Sequence, residues 1–354
     1  MQAVGCSRKS PAPPQAYLAF VANNQGNSVA AVNLTSFQVV ASIPVPPAPE
    51  QLAVRPRSLE LWVVSASGTV SAIGFPVLRV VHSRRVANKA RSLVFSPDGR
   101  RAYVLDPSEG QIVFLDCDHL QELARVRLGG KPSSLSLTPD GKTLIVADNT
   151  LNQLRFVEAD SRRELGAVKV GKGPGAMVVL PDSSEVFVAD TGEKKISAVD
   201  VASRQLLAHI ELASPATSLT LKPDGGEIFA LSAEGSALIV LDAFHDNVEQ
   251  TLTTGLRPVA GAIRRNSSAF YIATAGDGNV TALDVQTRNV LAVTHVGTEL
   301  SALALTPDER FLAVADAASS SLAILRTDTL SLVTTLPVGA RPVDVVVPDW
   351  LWKR

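Results

Sequence analysis

Short runs of about five alternating or β-branched apolar residues, divided by Gly, Asp, Asn and Pro, fill almost the whole chain. Residues 133–137 alternate, 143–147 read Thr-Leu-Ile-Val-Ala, and 153–157 and 164–170 complete a phrase of four strands. The same phrase returns at 175–179, 185–189, 195–199 and 205–211. No segment holds a helical period over three turns, so the pattern predicts an all-β protein.

The phrases are punctuated by a turn. Ser96-Pro97-Asp98-Gly99 recurs as Thr138-Pro139-Asp140-Gly141 and Lys222-Pro223-Asp224-Gly225, with weaker copies at 55–58, 180–183 and 306–309. Proline presets φ at the second position, and Asp-Gly suits the reversal after it. The prolines stand at 56, 97, 139, 181, 223, 307 and 348, spaced 41, 42, 42, 42, 84 and 41 residues apart. The long interval is two units, and Arg264-Arg265-Asn266-Ser267 supplies the missing turn.

A repeat of about 42 residues with four strands fits one blade of a β-propeller. Eight anchors predict eight innermost strands, the last of them at 343–347, while 16–22, 28–33 and 38–43 form three strands lacking an inner partner. The C-terminal strand is therefore expected to complete the N-terminal blade, which removes free sheet edges. The length suggests about two domains as a prior. The repeat replaces that with one eight-bladed ring over 16–354, preceded by a polar, Pro-rich tether at 1–15.

Three fragments carry a family likeness: Gly130-Lys131-Pro132, Pro97-Asp98-Gly99 followed by Tyr103-Val104, and Ala198-Val199-Asp200. From Tyr17 onward the chain resembles the YVTN-type β-propeller repeat family, also described as YNCE-like or surface-layer-type. The resemblance implies an exported bacterial or archaeal protein, at the periplasm or cell surface, with the cytoplasm as the alternative. Seven blades are usual in that family, so seven is the alternative to eight, and most units here replace the family's Tyr with Phe, Ile or Leu.

Composition narrows the function. Lys plus Arg is 33 and Asp plus Glu 34, a net charge of −1, which opposes attachment to duplex nucleic acid through total charge. Cys6 and Cys117 are the only cysteines, which excludes disulfide scaffolds and cysteine zinc sites. No run approaches the length needed to span a bilayer. Ala3-Val4-Gly5-Cys6 resembles the end of a lipoprotein signal, so Cys6 is a lipidation candidate and the one expected link to a membrane.

In a propeller, equivalent positions of each unit ring the axis. Eight residues before each anchor (seven in the last unit) stand Ala48, Lys89, Lys131, Gly173, Pro215, Arg257, Glu299 and Arg341, with Lys172 beside Gly173. Lys89, Lys131, Lys172, Arg257 and Arg341 are thus candidates for a basic channel mouth that takes a carboxylate, a phosphate or a polyanion. A second ring, nine residues after each anchor, reads Ser65, Asp106, Asp148, Asp190, Ser232, Thr274 and Asp316, completed by Asn23. Lys89, Lys131 and Lys172 are expected to face Asp106, Asp148 and Asp190, leaving Arg257 and Arg341 without a neutralising partner. A third ring, including Asp116, Asp200, Asp242 and Asp284, reads as polar turns on the opposite face.

No catalytic or metal site emerges. His82, His119, His209, His245 and His295 fall in outer strands and hairpins, and no nucleophile elbow or phosphate loop occurs. Gly171-Lys172-Gly173-Pro174-Gly175 joins strands without opening a helix. Trp350 and Trp352 lie past the last strand, where packing on the closing blade is expected. The sequence therefore predicts a non-catalytic, monomeric ligand-binding or protein-interaction scaffold that needs no cofactor. The alternatives are an enzyme with an axial pocket and a salt-sensitive binder of single-stranded DNA or another anionic polymer.

Overall fold

The computed structural model describes residues 17–350, and Cys6, the tether and Trp352 lie outside them. Thirty-two strands form eight antiparallel sheets of four, with no helix among the described residues. The first three strands are β1 (Leu18–Asn23), β2 (Ser28–Asn33) and β3 (Gln38–Pro44), and the last is β32 (Pro342–Val346). They make one sheet in the order β3-β2-β1-β32, with Val21 opposite Val345 and Ala22 opposite Asp344. The C-terminal strand closes the N-terminal blade, here blade 1, and the protein is an eight-bladed β-propeller.

Blades 2 to 8 each begin with an innermost strand: β4 (Pro49–Val54), β8 (Ser92–Phe95), β12 (Pro132–Leu137), β16 (Pro174–Val179), β20 (Ser218–Leu221), β24 (Pro258–Ile263) and β28 (Leu300–Leu305). The turn that follows does what its residues predict. Gly99, Gly141 and Gly225 donate their N–H to Ser96, Thr138 and Lys222 at 2.8 Å, and each adopts φ between 71° and 82°. The aspartate before the glycine accepts the next amide, as in Arg100 to Asp98 and Lys142 to Asp140 at 3.0 Å. Asn266 accepts the Ser268 amide at the same distance, which makes 264–267 the seventh copy of the turn.

The core is not on the axis. Eight apolar clusters are each shared by two adjacent blades, such as Phe187 and Ile196 of blade 5 with Ile228 and Ile239 of blade 6. The two middle strands of a blade face a neighbour on both sides, so they read as near-continuous apolar runs such as Glu-Val-Phe-Val-Ala-Asp at 185–190. Outermost strands have one wet face and alternate, as 121–127 does. Trp350 packs on Phe20 and Phe75, with ring centroids 5.9 and 5.3 Å apart.

Candidate basic mouth of the channel

Each innermost strand is entered by a connection from the previous blade, and the loop between the second and third strands of its own blade closes over that connection. A backbone bond locks the two together. Ala66, Asn149, Thr191, Ala275, Ala317 and Asn24 donate to the carbonyls of Ala48, Lys131, Gly173, Arg257, Glu299 and Arg341 at 2.8–3.1 Å. The ring read from sequence is therefore a real structural position in six units. It is broken in the two blades whose inner strands have only four residues, β8 and β20. There Arg91 and Thr217 instead reach back to Leu105 and Leu231.

Lys89, Lys131, Lys172, Arg257 and Arg341 all lie on these connections, and all are exposed. Arg257 and Arg341 adopt φ of 55° and 54°, the left-handed region that Gly173 fills at its own position with φ 68°. A side chain there costs about 1 kcal/mol or more that glycine avoids.

The expected neutralising pairs do not form. Asp106, Asp148, Asp190 and Asp316 are at most 1 % exposed, and none ion-pairs with a connection lysine among the described residues. Their carboxylates hold the backbone instead. Asn88 N and Ser108 N donate to Asp106 at 3.1 Å. Lys131 N and Thr150 N donate to Asp148 at 3.3 and 2.9 Å, and Thr298 N and Glu299 N to Asp316 at 2.9 and 3.1 Å. Buried amides need acceptors, and a carboxylate wedged under the loop satisfies several at once. Asn23 meets the same demand with the opposite polarity, donating to the Val338 carbonyl at 2.8 Å. In the Thr274 unit, Asp277 accepts the Leu256 amide at 3.0 Å, so Arg257 does have an acidic neighbour on its loop, though one turned to backbone.

Lys89, Lys131, Arg257 and Arg341 consequently have no ion pair among the described residues, whereas Lys172 reaches Glu193 at 3.6 Å. Glycine in the connection is part of the device. A side chain on Gly171 would come to 2.5 Å from Asp190 Oδ2, and one on Gly130 or Gly297 would come closer still to Asp148 or Asp316. Sequence reading passed over that glycine–aspartate pairing.

Burial pushes the carboxyls of Asp106 and Asp316 up, but their hydrogen bonds outweigh it and leave both below the ordinary carboxylate range. Asp190 goes the other way, to about 6, because burial outweighs the Ser197 hydroxyl and the Gly171 amide. Ser197 Oγ lies 2.7 Å from Asp190 Oδ2 and 2.9 Å from Nδ1 of the exposed His209, a chain that sequence reading did not find.

The channel wall itself is sparse in charge. Asp344 of β32 and Glu50 of β4 are the ionisable residues on innermost strands. Asp344 accepts the Leu52 amide at 2.7 Å, and its burial in the wall pushes it up to about 6. Gln51 braces the next strand, with Leu93 N donating to its side-chain oxygen at 2.8 Å. No group of three His, Cys, Asp or Glu suited to a metal occurs among the described residues. Cys117 is buried and its thiol is pushed up to about 12 by that burial, so it is chemically inert. The third ring serves the hairpins, as in Ser203 N to Asp200 at 2.6 Å and Phe244 N to Asp242 at 2.8 Å.

No protein-family model matches the chain, and no curated protein matches it. Solved structures do. The dihydro-heme d1 dehydrogenase NirN, in complex with DHE, superposes with a TM-score of 0.82 at 17 % identity, over 93 % of this chain and 74 % of that one. Apo AztD from Citrobacter koseri gives 0.75 at 14 % identity, over 94 % and 98 % of the two chains. Kuenenia stuttgartiensis hydrazine synthase gives 0.64 at 18 % identity, over 79 % and 96 %. These likenesses show the propeller fold. No helix among the described residues is long and apolar enough to cross a membrane.

Proposed function

We propose that the protein is a non-catalytic binding propeller of the bacterial cell envelope, of the YVTN type, which presents a rigid basic face to a small anionic ligand or an acidic surface of a partner protein. One observation carries this reading. The aspartates beneath the connections are taken up by backbone amides, so Lys89, Lys131, Arg257 and Arg341 stand exposed on the connections with no ion pair among the described residues. A lipid anchor at Cys6 would hold such a scaffold at a membrane.

The likeness to NirN raises a second reading, an enzyme built around a bound haem-type group. The residues do not fit one. Haem iron is usually held by an axial side chain, most often histidine. All five histidines of this chain stand on outermost strands or outer hairpins, away from the innermost strands.

Thermal unfolding of the purified protein, with carboxylates, phosphates, polyphosphate, metal ions and single-stranded DNA at low and high salt, tests both. A ligand at 100 times its Kd adds about 2.7 kcal/mol. The proposal expects a salt-sensitive stabilisation by anions that the Arg257→Ala/Arg341→Ala variant loses. A stabilisation by metal alone, or silence across the panel, overturns small-anion binding at the mouth.

A further inference from the structure

A second basic feature lies away from Arg257 and Arg341, at the rim between blades 2 and 3. There a cavity of about 560 Å³ is lined by Arg85, Asn88, Glu109, Gln111, Arg125 and Arg127. Its volume is that of a small-molecule site, but its polar walls suit a hydrophilic guest. The strands that build it are the most basic of the outermost strands: 79–85 reads Arg-Val-Val-His-Ser-Arg-Arg and 121–127 reads Gln-Glu-Leu-Ala-Arg-Val-Arg.

The three arginines are not equivalent. Arg125 is committed, holding both oxygens of Glu122 at 2.8 Å and the Val86 carbonyl at 2.9 Å. Arg85 and Arg127 are exposed and have no ion pair among the described residues. Arg85 touches only the Ala87 carbonyl, at 3.4 Å through Nε, which leaves its two terminal nitrogens for another partner. Gln111 lines the same cavity, directly across the sheet from Arg127, and is 3 % exposed. Its Nε2 donates to Asp106 Oδ2 at 3.3 Å, which fixes the amide orientation, and its Oε1 has no hydrogen-bond partner. A buried acceptor left unmade is costly, so it marks a place where a donor belongs. Glu109 adds a second acceptor at the rim and is itself steadied by Asn88 Nδ2 at 2.8 Å.

We infer that this cavity is a binding site for a small hydroxylated anion, a sugar phosphate or a sugar acid, distinct from the channel mouth. The Arg85 and Arg127 guanidinium groups take the oxyanion, which a planar fork of donors matches in two-point fashion. The acceptors Gln111 Oε1 and Glu109 take hydroxyl donors of the same molecule. A bare inorganic anion would satisfy the arginines alone and leave the buried oxygen of Gln111 unpaired.

Calorimetric titration of the full chain with glucose 6-phosphate, gluconate, inorganic phosphate and glucose tests this. At least one of the two hydroxylated anions binds, more tightly than inorganic phosphate, and glucose does not bind. Arg127→Gln and Arg85→Gln, both at exposed side chains without ion pairs, each weaken that binding about tenfold, as expected for a lost charged contact. Gln111→Met narrows the preference over inorganic phosphate. Arg257→Ala/Arg341→Ala leaves the affinity unchanged, which separates this site from the mouth. The inference is overturned if neither hydroxylated anion binds, if inorganic phosphate binds as well as they do, or if the Arg85 and Arg127 variants bind normally.

Discussion

Asp106 and Asp190 occupy the same place in blades 3 and 5, at the end of the second strand under the incoming connection, and both are fully buried. Their chemistry is opposite. Asp106 takes amides from Asn88 and Ser108 together with the Ser108 hydroxyl and the Gln111 amide, and these hold its carboxyl below the usual range against its burial. Asp190 takes the Ser197 hydroxyl, its Oδ1 has no partner, and its burial carries it up to about 6. The backbone explains the difference. In blade 5 the loop amides of Thr191, Gly192 and Glu193 are spent on the carbonyls of Gly173, Lys172 and Asp190, so of the backbone only the Gly171 amide is left for the carboxylate. Equal position in a repeat fixes burial; the donors that surround it fix charge.

The largest effect that can break this comparison comes from emptying a well-satisfied position. Asp316→Ala strands the amides of Thr298, Glu299 and Ala318, so urea unfolding should show a loss of about 3 kcal/mol. A loss below about 1 kcal/mol would mean that water replaces the carboxylate without cost.

Asp190→Asn should act in the other direction. A carboxyl that titrates near 6 when folded, against about 3.9 when unfolded, binds more protons in the native state between those values. Its contribution is full below pH ~4 and lost as pH rises through 6. The asparagine variant should therefore match the parent at pH 4 and exceed it at pH 8 by up to about 3 kcal/mol. Asp344 carries the same sign, so the Asp190→Asn variant should still gain stability from it on acidification. Lowered carboxyls such as Asp106 oppose this, contributing stability at neutral pH that is lost as pH falls through their native range.

A smaller effect separates use from stability at the mouth. Arg341→Gly relieves a φ of 54° and should stabilise the fold by up to about 1 kcal/mol while weakening anion binding. A variant that loses stability would show that the arginine stem packs on the loop.

The blade count, the closure by β32 and the strand limits were legible because one proline-centred turn sets the register of every unit, including the unit where Asn266 stands in for aspartate. The shortened β8 and β20 were not, since their connections differ by backbone bonding rather than by composition. The basic mouth was readable as a ring, but reading Lys89 against Asp106 paired side chains that share a loop only through its backbone. The rim cavity escaped because Arg85, Gln111 and Arg127 belong to different strands of two blades, outside any single ring. The run of arginines in 79–85 and 121–127 was the available sign.

The central claim is that the buried aspartates serve the backbone and leave the surface cations free. A double-mutant cycle between Lys89 and Asp106, with Lys89→Ala, Asp106→Asn and the double variant followed by urea unfolding, measures it directly. The account predicts that Asp106→Asn is costly, Lys89→Ala is neutral, and their coupling is zero within about 0.3 kcal/mol. A favourable coupling of about 1 kcal/mol would contradict it, because the lysine would then be paired and the mouth neutralised.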